Sequence, residues 1–279
     1  MHIFEYNGKK LDLSRPLVMG IQNLTPDSFF DGGRYPDMSS RLKHVGQMLE
    51  EGAAIIDLGA ISTRPEAADV EEEEELLRVM PVLQAILREY PSCLVSIDTY
   101  RPSIARIAAE NGAFMINDIY GGMFDETMLP TIASLNIPYI LMHMKGTPQT
   151  MQIDPRYGDV VAEVSYFFDA QIRKLEEYGF YKIILDPGFG FGKTVDHNYE
   201  ILSRFGELTH HGYPLLAGFS RKSMINKVLG TEPATALNGT TILNTIALLK
   251  GASILRVHDV KEAMEVIQLS SRISDEEIV

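Results

Sequence analysis

Polar and charged residues recur at one kind of place in this chain, immediately after short apolar runs. Gln22-Asn23-Leu24-Thr25-Pro26-Asp27-Ser28 and then Asp31-Gly32-Gly33 come after the first run, and Ser62-Thr63-Arg64-Pro65 after the second. Asp98-Thr99, Asn117-Asp118, His143 and Asp186-Pro187-Gly188 come after the next four. Ser220-Arg221-Lys222-Ser223 and Arg256-Val257-His258-Asp259 close the series. Asp98, Asn117 and Asp186 end apolar segments, so burial makes each of them need a hydrogen-bonding partner. Two carboxylates and an amide together satisfy a flat heterocycle with adjacent N–H donors, such as the edge of a pterin or a guanine. Arg64, Arg256 and His258 bring positive charge and N–H donors suited to a phosphate. A helix opening at Asp259 would aim its unpaired backbone N–H groups at the same anion. Asn23 and Asp31 add oxygen ligands from a glycine-rich loop. That is enough for a Mg2+ shared with the phosphate, because Mg2+ takes few protein ligands.

These groups act together only if one architecture gathers them. The apolar runs number eight: Leu17–Gln22, Ala54–Gly59, Leu94–Thr99, Met115–Ile119, Tyr139–His143, Ile183–Pro187, Leu215–Phe219 and Ser253–His258. Continuous rather than alternating hydrophobicity is the mark of strands buried on both faces of a parallel sheet. Amphipathic stretches separate them. Val160, Val161, Val164, Phe167, Phe168, Ile172 and Leu175 recur at helical spacing, with Gly179 as a stop. Leu76, Leu77, Met80, Leu83, Ile86 and Leu87 form a second stripe. The acidic run Glu71–Glu75 before it reads as a solvated helix start, well placed for the macrodipole. The pattern predicts an α/β fold, a (β/α)8 TIM barrel, whose strand ends converge on one mouth. Helix capping is the bland reading of those strand ends, and Asp259 with Glu262 fits a capping box. Capping leaves Arg64, Lys222, Arg256 and His258 unexplained. Ahead of the barrel, Ile3–Tyr6 and Lys9–Leu13 flank Asn7-Gly8, the signature of a β-hairpin, which is expected to cover the barrel bottom. No linker, charge break or repeat divides residues 1–279, so one domain is expected.

Composition narrows the function classes. Asp plus Glu number 38 against 25 Lys plus Arg, a net charge of −13 that opposes non-specific binding to nucleic acid or anionic membranes. Cys93 stands alone, so no intramolecular disulfide forms. The first residues lack the basic-then-apolar order of a signal peptide, and no apolar run is long enough to span a bilayer. A cytoplasmic protein is expected. Gly188-Phe189-Gly190-Phe191-Gly192-Lys193-Thr194 imitates a P-loop, but Pro187 stands where the first glycine is required. The histidines show no zinc spacing, and His210-His211 reads as a surface turn before Gly212. His143, after a buried strand, reads as structural.

The segments MGIQNLTPDSFFDGG, STRP, SIDT, NDI, LMHMKGTP, LDPGFGFGKT, GFSRKS and RVHD, in this order, resemble the dihydropteroate synthase family of folate biosynthesis. The resemblance runs from about Leu17 to Ile267. It implies an enzyme that joins 6-hydroxymethyl-7,8-dihydropterin diphosphate to 4-aminobenzoate, with Mg2+ and commonly as a homodimer. It assigns pterin recognition to Asp98, Asn117, Asp186 and Lys222, with Met142 against the ring and Arg256 stacked over it. It makes Asn23 the Mg2+ and diphosphate ligand, puts Thr63, Arg64, Arg256 and His258 at the diphosphate, and makes Asp31 the acid of the first loop. Pro65, Phe191, Ser220 and Lys222 would surround the aminobenzoate, where sulfonamides compete in this family. The catalytic set implied is Asp31, Arg64, Lys222, Arg256 and His258. Two departures stand out: Ala60-Ile61-Ser62-Thr63-Arg64-Pro65-Glu66 replaces the family's usual Gly-Glu-Ser-Thr-Arg-Pro-Gly, and Phe30 replaces a serine. Two other readings share part of this evidence. A methyltransferase on a pterin-binding barrel would use Asp98, Asn117 and Asp186 but has no need of Arg64, Lys222 or the Asn23 loop. A non-catalytic pterin-binding paralogue is supported only by the altered second loop.

Overall fold

Asn7 and Gly8 both hold positive φ, 48° and 72°, which is what a two-residue hairpin turn demands. They join β1 (Ile3–Tyr6) to β2 (Lys9–Asp12), paired antiparallel with Tyr6 opposite Lys9. The computed structural model describes residues 2–24, 38–61, 70–147 and 150–273. After the hairpin come β3 (Leu17–Asn23), β4 (Ile55–Gly59), β5 (Leu94–Asp98), β6 (Met115–Asp118), β7 (Tyr139–Met142), β8 (Ile183–Asp186), β9 (Leu215–Ala217) and β10 (Ala252–Val257). All pair in parallel, and β10 closes on β3 to complete an eight-stranded barrel. Between them run α1 (Met38–Glu50), α2 (Glu72–Glu89), α3 (Pro102–Glu110), α4 (Met128–Leu135), α5 (Val160–Glu177), α6 (Val195–Ser203), α7 (Ser223–Leu229) and α8 (Leu237–Leu249), with α9 (Val260–Ser270) last. The (β/α)8 expectation is met, and every strand lies within two residues of its predicted limits. Among the described residues no helix is long and apolar enough to cross a membrane.

Strand alternation splits each run between two cores. Val18, Ile56, Leu58, Val95, Ile97, Ile116, Leu141 and Leu185 face the helices. The other parity faces the barrel axis, where Met19, Ile55, Leu94, Met115, Ile140, Ile184, Leu216 and Ile254 form one apolar layer, a side chain from each strand. Phe4, Leu11 and Leu13 of the hairpin pack onto that layer. The hairpin therefore plugs the N-terminal end of the barrel, each buried apolar side chain contributing about 1.5–3 kcal/mol. The opposite end is left for chemistry.

Two local expectations need correcting. Glu75 does not belong to a solvated helix start: Glu71–Glu74 are exposed, but Glu75 is fully buried and ion-paired with Arg101 Nη1. Helical periodicity turns the fifth residue of the run inward, toward Thr99 and Arg101 just beyond β5. Asp259 stands at the N-terminus of α9 but makes no capping hydrogen bond. Its carboxylate is taken by Arg221, whose Nη2 donates to Oδ1 at 2.6 Å. The ion pair outcompetes the cap.

Candidate active site

Beyond the apolar layer, the axis-facing positions of five strands turn polar. Ile55 gives way to Asp57, Leu94 to Ser96 and Asp98, Met115 to Asn117, Ile184 to Asp186, and Ile254 to Arg256. The strand ends thus raise a polar floor above a dry plug, facing the C-terminal mouth.

Asp57 is the hub of that floor. Its Oδ2 accepts from Arg256 Nε at 2.7 Å and from Asn117 Nδ2 at 3.1 Å. Arg256 Nη2 reaches on to Asp98 Oδ2 at 3.0 Å, so one guanidinium bridges two carboxylates. Asp57 was not anticipated from sequence, because it lies inside a strand rather than at or beyond its end. The signal was present: a lone carboxylate in the apolar run Ile55-Ile56-Asp57-Leu58-Gly59 must be paired. Asp57 Oδ1, Asn117 Oδ1 and Ser96 Oγ remain buried without a hydrogen-bond partner among the described residues. Buried acceptors left over in this way call for a donor-rich ligand or water.

Asp186 closes the far side of the floor, with Oδ1 accepting from the Gly188 N–H at 2.7 Å. Lys222 Nζ donates to the Phe189 carbonyl at 2.5 Å and stands 4.9 Å from the Phe191 ring. Gly218 lies between these groups, where a Cβ would sit 3.8 Å from both Lys222 Nζ and Arg256 Cβ. Burial is the main influence on every charge here. It raises the Asp186 carboxyl against the pull of Lys222. It also raises Asp98, aided by the charge of Asp57 and opposed by Arg256. Burial lowers the Lys222 ammonium to about 8, Asp186 pulling the other way. For Arg256, burial is outweighed by Asp57 and Asp98, which keep the guanidinium firmly charged.

An apolar wall stands beside the floor. Tyr100, Ile119 and Met142 cluster there, with Phe191 and Ile61 packed against them. Met142 and Phe191 were expected at the site; Tyr100 and Ile119 were not, since aromatic and aliphatic residues after strands look like ordinary core. Ile61, which replaces the family's usual acid, joins this wall. On the other side Ser220 Oγ accepts the His258 backbone N–H at 3.2 Å and lies 2.9 Å from His258 Nδ1. At the rim, a Cβ on Gly59 would lie 3.6 Å from Asp98 Oδ2 and 3.7 Å from Asn23 Oδ1. Two oxygens therefore flank the space over Gly59.

The Gly188–Lys193 segment is not a phosphate loop. Lys193 is buried and donates to the carbonyls of Gly188 and Phe191, both at 3.0 Å, and of His143 at 3.3 Å. His143 Nδ1 lies 3.0 Å from the same ammonium, which fits its expected structural role. Gly188, at φ 68°, passes so close to His143 that a Cβ would meet its carbonyl oxygen at 2.0 Å. Asp31, Thr63, Arg64 and Pro65, and the departures Phe30 and Glu66, lie outside the described residues.

A barrel with a charged, acceptor-rich floor and an apolar wall defines a class: enzymes that take a flat, polar heterocycle at the strand ends. Sequence comparison agrees, for residues 19–258 match the family model described as pterin binding enzyme. Dihydropteroate synthase of Escherichia coli (strain K12) is 47% identical over 264 residues, covering 94% of this chain and 93% of the relative. A Yersinia pestis dihydropteroate synthase, solved in complex with a sulfonamide drug, superposes with a TM-score of 0.92 at 42% identity, covering 97% of this chain and 98% of that one. A Xanthomonas albilineans dihydropteroate synthase in complex with 7,8-dihydropteroate gives 0.85 at 36% identity, covering 98% of each chain. The chain belongs to the dihydropteroate synthase family.

Proposed function

We propose that the chain condenses 6-hydroxymethyl-7,8-dihydropterin diphosphate with 4-aminobenzoate, giving 7,8-dihydropteroate and pyrophosphate, as a single-domain cytoplasmic homodimer using Mg2+. The observation that carries this reading is the pair of leftover buried acceptors, Asp57 Oδ1 and Asn117 Oδ1, in a floor that also holds Asp98 and Asp186. The N–H groups along a pterin edge match such acceptors, and Met142 supplies an apolar surface for the ring. The product and drug complexes of the relatives support the same ligand classes.

In this reading Asp98, Asn117 and Asp186 orient the pterin, Lys222 donates to it, and Arg256 lies over it. Thr63, Arg64, Arg256 and His258 take the diphosphate. Ser220, Phe191, Pro65 and the stem of Lys222 surround the aminobenzoate. The oxygens over Gly59 suit a hard cation, so Asn23, with Asp31 from the first loop, would hold Mg2+. Bound there, Mg2+ would offset charge on the leaving pyrophosphate. The bond between the pterin's methylene carbon and the diphosphate oxygen breaks first, its electron pair leaving with pyrophosphate. The dihydropterin ring delocalises the resulting cation, and Arg64, Arg256 and His258 stabilise the departing anion. The aminobenzoate nitrogen then donates its lone pair to that carbon and loses a proton. No covalent enzyme intermediate is needed, and the cation must be kept from water until the amine attacks.

A homodimer is supported by an exposed apolar face. Ile242 and Leu249 share one side of α8, and Val228 and Leu229 are exposed on neighbouring α7. Measuring pyrophosphate release from the pterin diphosphate tests the reaction. Release that depends on 4-aminobenzoate supports it. Absence of release with both substrates and Mg2+ present points instead to the non-catalytic paralogue, and transfer from a methylated folate to the methyltransferase.

A further inference from the structure

His210 and His211 end the 3-10 turn Phe205–His211 that leads into β9, on the barrel end opposite the mouth. Sequence spacing gave them no ligand role, but the fold brings Asp169 of α5 beside them. Among the described residues this is the one group of three His, Cys, Asp or Glu side chains whose ligand atoms all lie within 4.8 Å of one another.

The hydrogen bonds determine which ring atoms are available. His210 Nδ1 lies 2.6 Å from the Glu207 carbonyl oxygen, which only accepts, so Nδ1 carries the hydrogen and Nε2 the lone pair. His211 Nδ1 faces Asp169 Oδ1 at 3.2 Å, and that carboxylate likewise places the hydrogen on Nδ1. Both Nε2 lone pairs then converge on one hydroxyl. Ser165 Oγ is 3.1 Å from His211 Nε2 and 3.5 Å from His210 Nε2. A single hydroxyl proton serves only one of them. The two rings are held 3.9 Å apart, and the His211 side chain, 2% exposed, is packed edge-on against Phe168.

We propose that His210 and His211 bind one divalent transition metal ion, with Zn2+ as its representative, through their Nε2 atoms. Water and the Ser165 hydroxyl complete the shell. Imidazole nitrogens suit zinc, copper and nickel, whereas Mg2+ prefers oxygen. Zinc–nitrogen bonds of about 2.0–2.1 Å bring two tetrahedral ligands to roughly 3.4 Å apart. Both Nε2 atoms already lie within 3.5 Å of Ser165 Oγ, so a small shift of the exposed His210 ring closes that distance. Asp169 acts as the carboxylate behind a ligating histidine, fixing its tautomer and ring orientation. The ion ties α5 to the turn before β9, so it braces the outer layer and leaves the mouth chemistry alone.

Calorimetric titration of the full chain with ZnCl2 in excess Mg2+ tests the site, with Co2+ as a spectroscopic probe. The expected result is one bound ion per chain, a rise in Tm with zinc, and four-coordinate visible bands with cobalt. His210→Ala, an exposed change that gives up one hydrogen bond to the Glu207 carbonyl, should abolish binding. Asp169→Asn should weaken it by about 10–100-fold, the effect of losing a partner that orients a ligand. Turnover of both variants should equal that of the parent. Zinc binding unaltered in His210→Ala, or no zinc binding by the parent, would overturn the proposal.

Discussion

A single buried carboxylate, Asp57, decides how the rest of the floor is arranged. By accepting from both Arg256 and Asn117 it directs the guanidinium across to Asp98 and sets the orientation of the amide. Asp98, Asn117 and Asp186 were legible in the sequence because each stands at the end of an apolar run, where a polar group without a purpose is costly, and Arg256 because helix capping leaves a cation there unexplained. Asp57 escaped because it looks like an interruption within a strand, and only the barrel's alternation reveals that it faces the axis. Lys222 offers the test among single residues. Burial, opposed mainly by Asp186, lowers its ammonium to about 8, so it is charged at neutral pH and loses its proton just above. A ligand that needs the charged form should bind with constant affinity below that value and progressively more weakly above it. The slope approaches tenfold per pH unit, the limit for loss of one proton. Calorimetric pterin titrations from pH 6 to 9 should show this fall (~pH 8 as its onset) in the parent and not in Lys222→Gln. A flat profile in the parent would remove Lys222 from pterin recognition.

The elements were the most legible part of the molecule, since eight apolar runs and the stripes between them leave little freedom of architecture. What the sequence hid were the tertiary pairings at element ends. Glu75 reads as one acid among five, yet it is fully buried beneath Arg101, and Arg101 Nη2 also donates to the Val70 carbonyl at 2.6 Å. This pair fastens the start of α2 to the segment between β5 and α3. Removing one member of a buried pair typically destabilises by about 3–5 kcal/mol, because the other charge is left unpaired. Arg101→Ala should therefore lower stability to urea by that order at neutral pH. The pH dependence has a definite sign. Burial already raises the Glu75 carboxyl, and without Arg101 it rises further. A folded-state pKa above the unfolded value means that the native state binds the extra proton, so stability falls as pH rises. The deficit of Arg101→Ala should consequently shrink on going from pH 7 to ~pH 5. An equal deficit at both values would mean that lost packing, not the unpaired carboxylate, is responsible.

At the scale of the whole molecule the two barrel ends are divided by polarity. The hairpin and one apolar layer close the bottom, and every described candidate residue lies toward the top. The net charge of −13 makes the local cations at the mouth more conspicuous, since Lys222 and Arg256 gather beside His258 where a phosphate-bearing ligand would enter. The dimer reading also belongs here. Ile242→Glu together with Leu249→Glu puts like charges on an apolar face and should convert a dimer to monomers in sedimentation velocity. A parent that already sediments as a monomer would contradict that assignment. The deepest claim is that the floor of the mouth reads the edge of a pterin, and Asp186→Asn tests it most directly. The change swaps an ionised acceptor for a group that must present a donor, a mismatch of about 1–3 kcal/mol in a buried site. Titration of a pterin ligand should show affinity reduced by roughly 5- to 150-fold, with the variant's circular dichroism and Tm near those of the parent. Unchanged pterin affinity in the folded variant would place the heterocycle elsewhere and contradict the site described here.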